Sequence, residues 1–312
     1  MKHVFITGCP RSGTTMLASM LGSAHYCVAT PESDFFIDFI YKYLNKTSKN
    51  SNKEDFNFFL KTNYRFKQWH IEPNDIENIP ESITYDNYNG VIESTLKLFI
   101  ECHSDVATNE VTRIDHTPTS ILDFNILNDF FPESNFIFIV RDPRAVYASV
   151  KNLDWGANTA LKLAEEWNEY AAMYFSIKKL FPERVSLVRY EDILKNAPTE
   201  LKRLCDFIGV PYSSDLNEGS GFKIPSYTSS QHSLVGKTLD KHRIDHWKHK
   251  LNHRDILLIE SKSNLMMKVF NYDPTHSIKY RIRVRDKVQT LLNETFYYFA
   301  NKIRKRKREK NA

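Results

Sequence analysis

The feature that most constrains the fold lies at the start of the chain, in "HVFITGCPRSGTTML", residues 3–17. Residues 3–7 are an apolar, β-rich run ending at a glycine, the pattern of a buried parallel strand. Residues 14–24 follow with Met16, Leu17, Met20 and Leu21 on a helical stripe. A strand, a glycine-bounded turn and a helix make one βα unit. Gly8 and Gly13 have the G-x-x-x-x-G spacing of a nucleotide-binding P-loop. Such a turn points several backbone N–H groups at one spot, where the helix dipole favours an anion. A P-loop needs Lys after its second glycine, and here Thr14 stands there. Arg11, inside the loop, is the nearest cation, and its planar fork of donors suits an oxyanion. The loop is expected to hold an anion without the Lys–Mg²⁺ apparatus of a triphosphate site. The plainer alternative is a tight glycine turn with a surface arginine.

The rest of the chain continues the alternation. Residues 25–29, 109–115, 135–141 and 184–190 read as strands. Residues 34–45, 118–130, 142–153, 157–180, 198–208 and 253–270 read as helices. In "RDPRAVYASV" Asp142 is the expected N-cap and Pro143 the first helical residue. This order predicts an α/β fold with a central parallel sheet flanked by helices. The stretch 46–106 is polar and asparagine-rich, and reads as an irregular insertion with helical patches such as 91–101. Residues 212–250 read as loop. The reading therefore places one domain over 1–275 and a basic amphipathic extension over 276–312.

Charge is uneven along the chain. Residues 276–312 carry 12 Lys/Arg and 3 Asp/Glu, against 31 and 35 in the preceding 275 residues. The basic excess belongs to the tail, so net charge gives no ground for nucleic-acid binding by the body. Cys9, Cys27, Cys102 and Cys205 are widely spaced with no C-x-x-C, which argues against zinc and against a disulfide framework. His242, His246, His249 and His253 invite a metal reading, but no carboxylate or cysteine spacing completes a site. No signal peptide or membrane-spanning run is visible, so the expected location is cytoplasmic, unless an anchor once preceded residue 1.

A second anion site is suggested by "FIFIVRDPRAVYASV". Arg141 ends a buried strand, and Ser149 lies eight residues on, about two helical turns later. Strand C-termini form the ligand crevice of open α/β sheets. There Arg141 can make a charge-assisted bond to an anion, with Ser149 as a neutral donor. The alternative makes Arg141 an ion-pair partner of Asp142 and Ser149 a surface serine.

Together, P-R-S-G-T-T after the first strand and R-D-P-R-A-x-x-x-S after a later one resemble the sulfotransferases that use 3′-phosphoadenosine 5′-phosphosulfate (PAPS). The likeness is closest to the branch that includes bacterial and tyrosylprotein enzymes, and it covers roughly residues 3–272. It implies the P-loop-containing nucleotide-hydrolase-like fold of that family. It implies that Arg11, Ser12, Gly13, Thr14 and Thr15 cradle the 5′-phosphosulfate and that Arg141 and Ser149 hold the 3′-phosphate. Tyr190 in "VRYED" matches a nucleotide-contacting tyrosine. Lys237, ten residues before Trp247, matches a late nucleotide-binding lysine, and Ser226 is a neighbour that could share the role.

Sulfuryl transfer needs a base for the acceptor's proton and cations for the developing charge. It requires no metal ion. The resemblance implies Glu32 as the base, the alternative being a cap for the helix beginning near Asp34. Related enzymes carry Lys two residues before a proline, where "DHTP" has His116. His116 is therefore a stand-in cation, a rival base or a structural histidine. The expected reaction moves a sulfuryl group from PAPS to a hydroxyl of a peptide tyrosine, a sugar or a small alcohol. The rival readings are an ATP-dependent small-molecule kinase and a non-catalytic nucleotide-binding protein.

In the tail, Val288, Leu291, Leu292, Thr295, Phe296, Phe299 and Ile303 share one helical face, and "KIRKRKREK" follows with seven basic residues in nine. Three readings stay open: a packed C-terminal helix with a solvated end, an interfacial helix drawn to anionic lipid, and an arm for acidic substrates. A homodimer is left open too.

Overall fold

A computed structural model of the chain describes residues 1–44, 50–108, 110–221, 239–275 and 280–310. The elements run β1 (Lys2–Thr7), α1 (Thr14–Leu21), β2 (Cys27–Ala29), α2 (Phe35–Tyr43), β3 (Ser51–Asn52) and α3 (Lys53–Thr62). Next come β4 (Ser82–Ile83), α4 (Tyr88–His103), β5 (Thr112–Asp115), α5 (Phe124–Phe130), β6 (Asn135–Val140) and α6 (Pro143–Val150). The remainder is α7 (Ala160–Leu180), β7 (Val185–Arg189), α8 (Tyr190–Ile208), α9 (Trp247–Lys250), α10 (His253–Val269) and α11 (Val284–Lys310). The central parallel sheet, ordered β2-β5-β1-β6-β7, is flanked by helices, as the strand–helix alternation predicts. The chain divides into two compact units. One is Met1–Thr7, Thr15–Ile137 and Leu201–Lys237; the other is Gly8–Thr14, Phe138–Glu200 and Thr238–Ala312.

In the first unit, β5 pairs with β1 from Lys2↔Thr112 to Phe5↔Asp115 and with β2 from Cys27↔Thr112 to Ala29↔Ile114. All four residues of β5 are buried, as a central strand covered on both faces requires. Thr7, at the end of β1, donates to the Pro118 carbonyl at 2.7 Å and accepts the Ile121 N–H at 3.0 Å. A helix from Pro118 to about Phe130 was the expectation. The Ile121 N–H is committed to Thr7 instead of to a helical carbonyl, so the chain makes a short 3₁₀ turn over Pro118–Ile121, and α5 starts only at Phe124.

The described part of the 46–106 stretch, residues 50–106, is more ordered than its composition suggests. Asn52 caps α3 by accepting the Asp55 N–H at 2.8 Å. Phe56, Phe59, Phe66, Trp69, Tyr88 and Phe99 from this stretch are buried with Phe35 and Phe39 of α2. Phe39 meets Phe56 edge-on at 5.0 Å and stacks on Tyr88 at 5.4 Å, while Trp69 meets Phe35 at 5.2 Å and Phe99 at 4.9 Å. Burying each such ring contributes about 1.5–3 kcal/mol, and edge-on or offset pairing adds roughly 0.5–1.5 kcal/mol.

In the second unit, α6 begins as read from the sequence. Asp142 accepts the Arg144 N–H at 2.9 Å, with Pro143 at the first helical position. α10 packs along α7, and Phe270 meets Trp167 at 5.8 Å and Phe175 at 5.4 Å. The helix expected from residue 198 is preceded by another stretch that starts at the end of β7. The two join in α8 at a kink where Asn196, ahead of Pro198, leaves helical geometry. The 212–250 segment includes a 3₁₀ turn at Ser214–Glu218, which belongs to the first unit, and in the second unit a 3₁₀ turn at Lys241–Ile244 and the short α9. His242 therefore sits on a 3₁₀ turn and His249 on α9, so the histidines share no single helical face. Among the described residues, no group of three or more His, Cys, Asp or Glu could hold a metal ion.

Candidate functional site

The second unit gathers most of the residues read as anion-binding. The loop Gly8–Thr14 turns through glycines that no other residue could replace without strain. Gly8 has φ +153°, and a Cβ there would lie 2.2 Å from the Ile139 carbonyl oxygen. Gly13 has φ +107°, and its Cβ would press to 2.7 Å on the Tyr190 ring. Arg11 itself takes a left-handed φ of 75°. That conformation costs a non-glycine residue about 1–2 kcal/mol and marks a backbone held for a reason beyond chain reversal.

Arg11 Nε donates to Ser149 Oγ at 3.1 Å, and Arg141 Nη1 donates to the Arg11 carbonyl at 3.0 Å. The Arg141 guanidinium lies 4.2 Å from the centroid of the Tyr190 ring. Arg11, Gly13, Arg141, Ser149 and Tyr190 thus form one contiguous cluster with Ser12 and Thr14 of the same loop. Thr14 opens α1 and Thr15 follows it; both are buried. Ser12 Oγ and Arg141 Nε are buried and have no hydrogen-bond partner among the described residues. Buried polar atoms without partners are uncommon, and each calls for an explanation such as an absent ligand.

The alternative pairing of Arg141 with Asp142 is not what forms. Asp142 receives Arg144, with Nη2 to Oδ2 at 2.6 Å, and Arg144 also reaches Glu260 Oε1 at 2.6 Å. Arg144 lies over the Trp247 ring at 4.1 Å. Burial alone would raise the Glu260 carboxyl, but hydrogen bonds from Thr275 and Arg144 bring it below its ordinary range. Sequence reasoning missed this supporting layer. It includes Trp167, whose indole N–H donates to the Arg141 carbonyl at 3.0 Å. It also includes Glu191, which accepts the Asp142 N–H at 3.0 Å and the Tyr272 hydroxyl at 2.7 Å. Burial pushes the Glu191 carboxyl up, against the pull of these bonds. An acid directly after Tyr190 in "VRYED" was the available signal. Lys237 and Ser226 lie outside the described residues.

The first unit holds Glu32 and His116. Glu32 does not cap α2; Asp34 occupies that position and makes no side-chain cap bond. The Glu32 carboxylate is ion-paired with Arg65 Nη1, whose Nε lies 3.4 Å from Asp34 Oδ2. The Trp69 indole N–H donates to the Glu32 carbonyl at 3.2 Å. The aromatic stretch therefore fixes Glu32 at both backbone and side chain. Arg65 was not singled out in the sequence.

Ser33, next to Glu32, ties this segment to the end of β5. Its N–H donates to Thr117 Oγ1 at 2.8 Å and its hydroxyl donates to Asp115 Oδ2. Buried Arg113 donates to the same Asp115 oxygen at 2.6 Å. His116 lies between these two partners of Ser33 and is buried. Desolvation drives its pKa down to about 4, against the attraction of Asp115. Without a bound anion, burial thus favours the neutral ring.

Comparison with known proteins shows the family. Residues 3–214 match the model of the family described as "Sulfotransferase family". The chain is 21% identical to a Drosophila melanogaster protein-tyrosine sulfotransferase over 88% of this chain and 52% of that protein. It is 24% identical to the Caenorhabditis elegans protein-tyrosine sulfotransferase A over 67% of this chain and 50% of that protein. The chain thus spans about half the length of the curated relatives it matches. Among solved structures, the sulfotransferase domain of the Synechococcus PCC 7002 olefin synthase superposes with a TM-score of 0.59 at 20% identity, covering 88% of this chain and 95% of that one. That likeness shows the fold. With a family match that runs from the first strand past the kinked α8, this chain belongs to the sulfotransferase family.

Proposed function

We propose that this chain transfers a sulfuryl group from PAPS to a hydroxyl acceptor. One observation carries the reading: the cluster of Arg11, Arg141, Ser149 and Tyr190 around a glycine loop, with buried Ser12 Oγ and Arg141 Nε unpartnered among the described residues. These donors fit an anionic ligand. Arg11, Ser12, Gly13, Thr14 and Thr15 would hold its 5′ end, and Arg141 and Ser149 its 3′-phosphate, with Tyr190 beside them. Lys237 stays in the proposal on its sequence match alone. The bound nucleotide supplies the sulfuryl group.

Glu32 accepts the acceptor's proton in this scheme. Its carboxylate is ion-paired with Arg65, and a carboxylate takes up a proton in its charged form. Arg11 balances the negative charge that develops as the acceptor oxygen attacks. His116, buried directly after β5, stays in the proposal as a second catalytic group, either a cation beside the sulfuryl group or a rival base. No metal ion is assigned. The names of the relatives make a tyrosine-containing peptide the first acceptor to try, ahead of a sugar or a small alcohol.

Thermal shift tests the nucleotide assignment, since a ligand bound only by the folded state raises Tm. Adenosine 3′,5′-bisphosphate raises Tm and ATP with Mg²⁺ does not. Stabilisation by ATP–Mg²⁺ alone would replace this reading with a kinase.

A further inference from the structure

α11 is attached to its unit by its polar side. Its positions 286, 290, 294, 297 and 301 recur at helical spacing along one face. Asp286 is buried and accepts from Arg254 Nη2 at 2.9 Å, the Tyr280 hydroxyl at 2.8 Å and the Arg283 N–H at 2.9 Å. Thr159 donates to Glu294 at 2.5 Å, and Asn301 donates to Asn158 at 2.8 Å. A cavity lined in part by Asn158, Thr159, Asp286, Thr290, Asn293 and Tyr297 lies along this seam.

The apolar residues are on the other side. Val284, Val288, Leu291, Leu292, Phe296, Phe299 and Ile303 are 50–77% exposed. An ordinary surface helix turns its apolar stripe to the core. Here the stripe faces away, although the same helix is held by hydrogen bonds with Arg254 of α10, with Thr159 at the N-cap of α7 and with Asn158 just before it. An apolar face of this extent marks an interaction site.

Charge identifies what it meets. Both acidic residues in the part of α11 with described side chains, Asp286 and Glu294, belong to the bonded side. Arg285, Lys287, Lys302 and Arg304 are exposed, and five further Lys/Arg follow in residues 305–310. The outward apolar side chains are therefore accompanied by a strong excess of positive charge, nine Lys/Arg against the single Glu309 once the two bonded acids are set aside. Two copies of such a face repel each other. An anionic lipid surface takes both components: the rings and aliphatic chains enter the acyl boundary, and the cations meet the headgroups. No described helix is long and apolar enough to cross a membrane, which leaves α11 lying in the interface.

We infer that α11 is a membrane-surface docking helix for anionic bilayers, with its polar side bonded to the rest of its unit. The full chain is mixed with vesicles of phosphatidylcholine alone and with vesicles that also contain phosphatidylglycerol, then sedimented. It partitions onto the phosphatidylglycerol vesicles, and added salt weakens this. The triple variant Leu291→Asp, Phe296→Asp, Phe299→Asp loses at least about tenfold in partitioning with an unchanged circular dichroism spectrum. Because the three side chains are exposed, the variant folds; a changed spectrum is met by the single variant Phe299→Asp, which lowers partitioning in the same direction. Three results would overturn the inference: no partitioning, equal partitioning onto neutral vesicles, or partitioning that neither variant changes. A dimer in sedimentation equilibrium that the triple variant splits, without vesicle binding, would overturn it in favour of a second copy.

Discussion

Arg141, in the second unit, bonds a backbone carbonyl and lies on an aromatic ring. Arg65 and Arg113, in the first, each meet a carboxylate. A guanidinium paired with a carboxylate has most of its field cancelled and serves mainly to fix geometry. One resting on neutral partners keeps its field for an incoming anion. Arg144, three positions after Arg141, is of the first kind and takes up both Asp142 and Glu260. The short motif R-D-P-R thus divides two arginines between structure and ligand. The Glu32 pocket has no such division, because its arginines serve its acids.

The largest expected effect is on chemistry. Glu32→Gln lowers turnover about 10²–10⁴-fold while adenosine bisphosphate affinity is unchanged; retained turnover would remove Glu32 as the base. Next is the structural arginine. Arg144→Met strands two buried carboxylates and costs about 3–5 kcal/mol of unfolding free energy, read by urea denaturation. Arg141→Met sharpens the contrast: bisphosphate binding weakens about 10–100-fold by calorimetry, with little loss of stability. If Arg141→Met destabilised the fold as much as Arg144→Met, the two arginines would not differ in kind.

The smallest effect concerns His116. Its folded pKa of about 4 lies below the ordinary value of 6.5. The unfolded chain therefore binds more protons between these values, and stability falls as pH drops through that window. Between pH 7.5 and 5 the loss is about 2 kcal/mol. His116→Gln should flatten that part of the pH–stability curve, and an unchanged curve would show that His116 is not the group responsible.

The loop, the capped start of α6 and the parallel sheet were legible because their signals are local: a strand ending in Gly, an Asp-Pro pair, alternating periods. Arg65 and Trp69 were not. Trp69 acts on a carbonyl 37 residues away, and the rings that bury it come from α2 and α4. Polar, asparagine-rich spacing conceals aromatic partners that meet only in the fold. The apolar period of residues 288–303 was visible too, yet a period cannot say which side of a helix is bonded. The structure attaches α11 by its polar residues and leaves the apolar face exposed, which the period alone did not indicate.

Trp69 and Trp167 have one further consequence. Each donates its indole N–H to the backbone of a proposed site residue, Glu32 in one unit and Arg141 in the other. The chain has four tryptophans. Replacing Trp155 and Trp247 with phenylalanine would leave two intrinsic fluorophores, one per region. Trp247 also covers Arg144, so that replacement needs a stability control. Nucleotide titration should then change the emission of Trp167, and an acceptor peptide without tryptophan that of Trp69, giving each step of substrate loading its own optical signal.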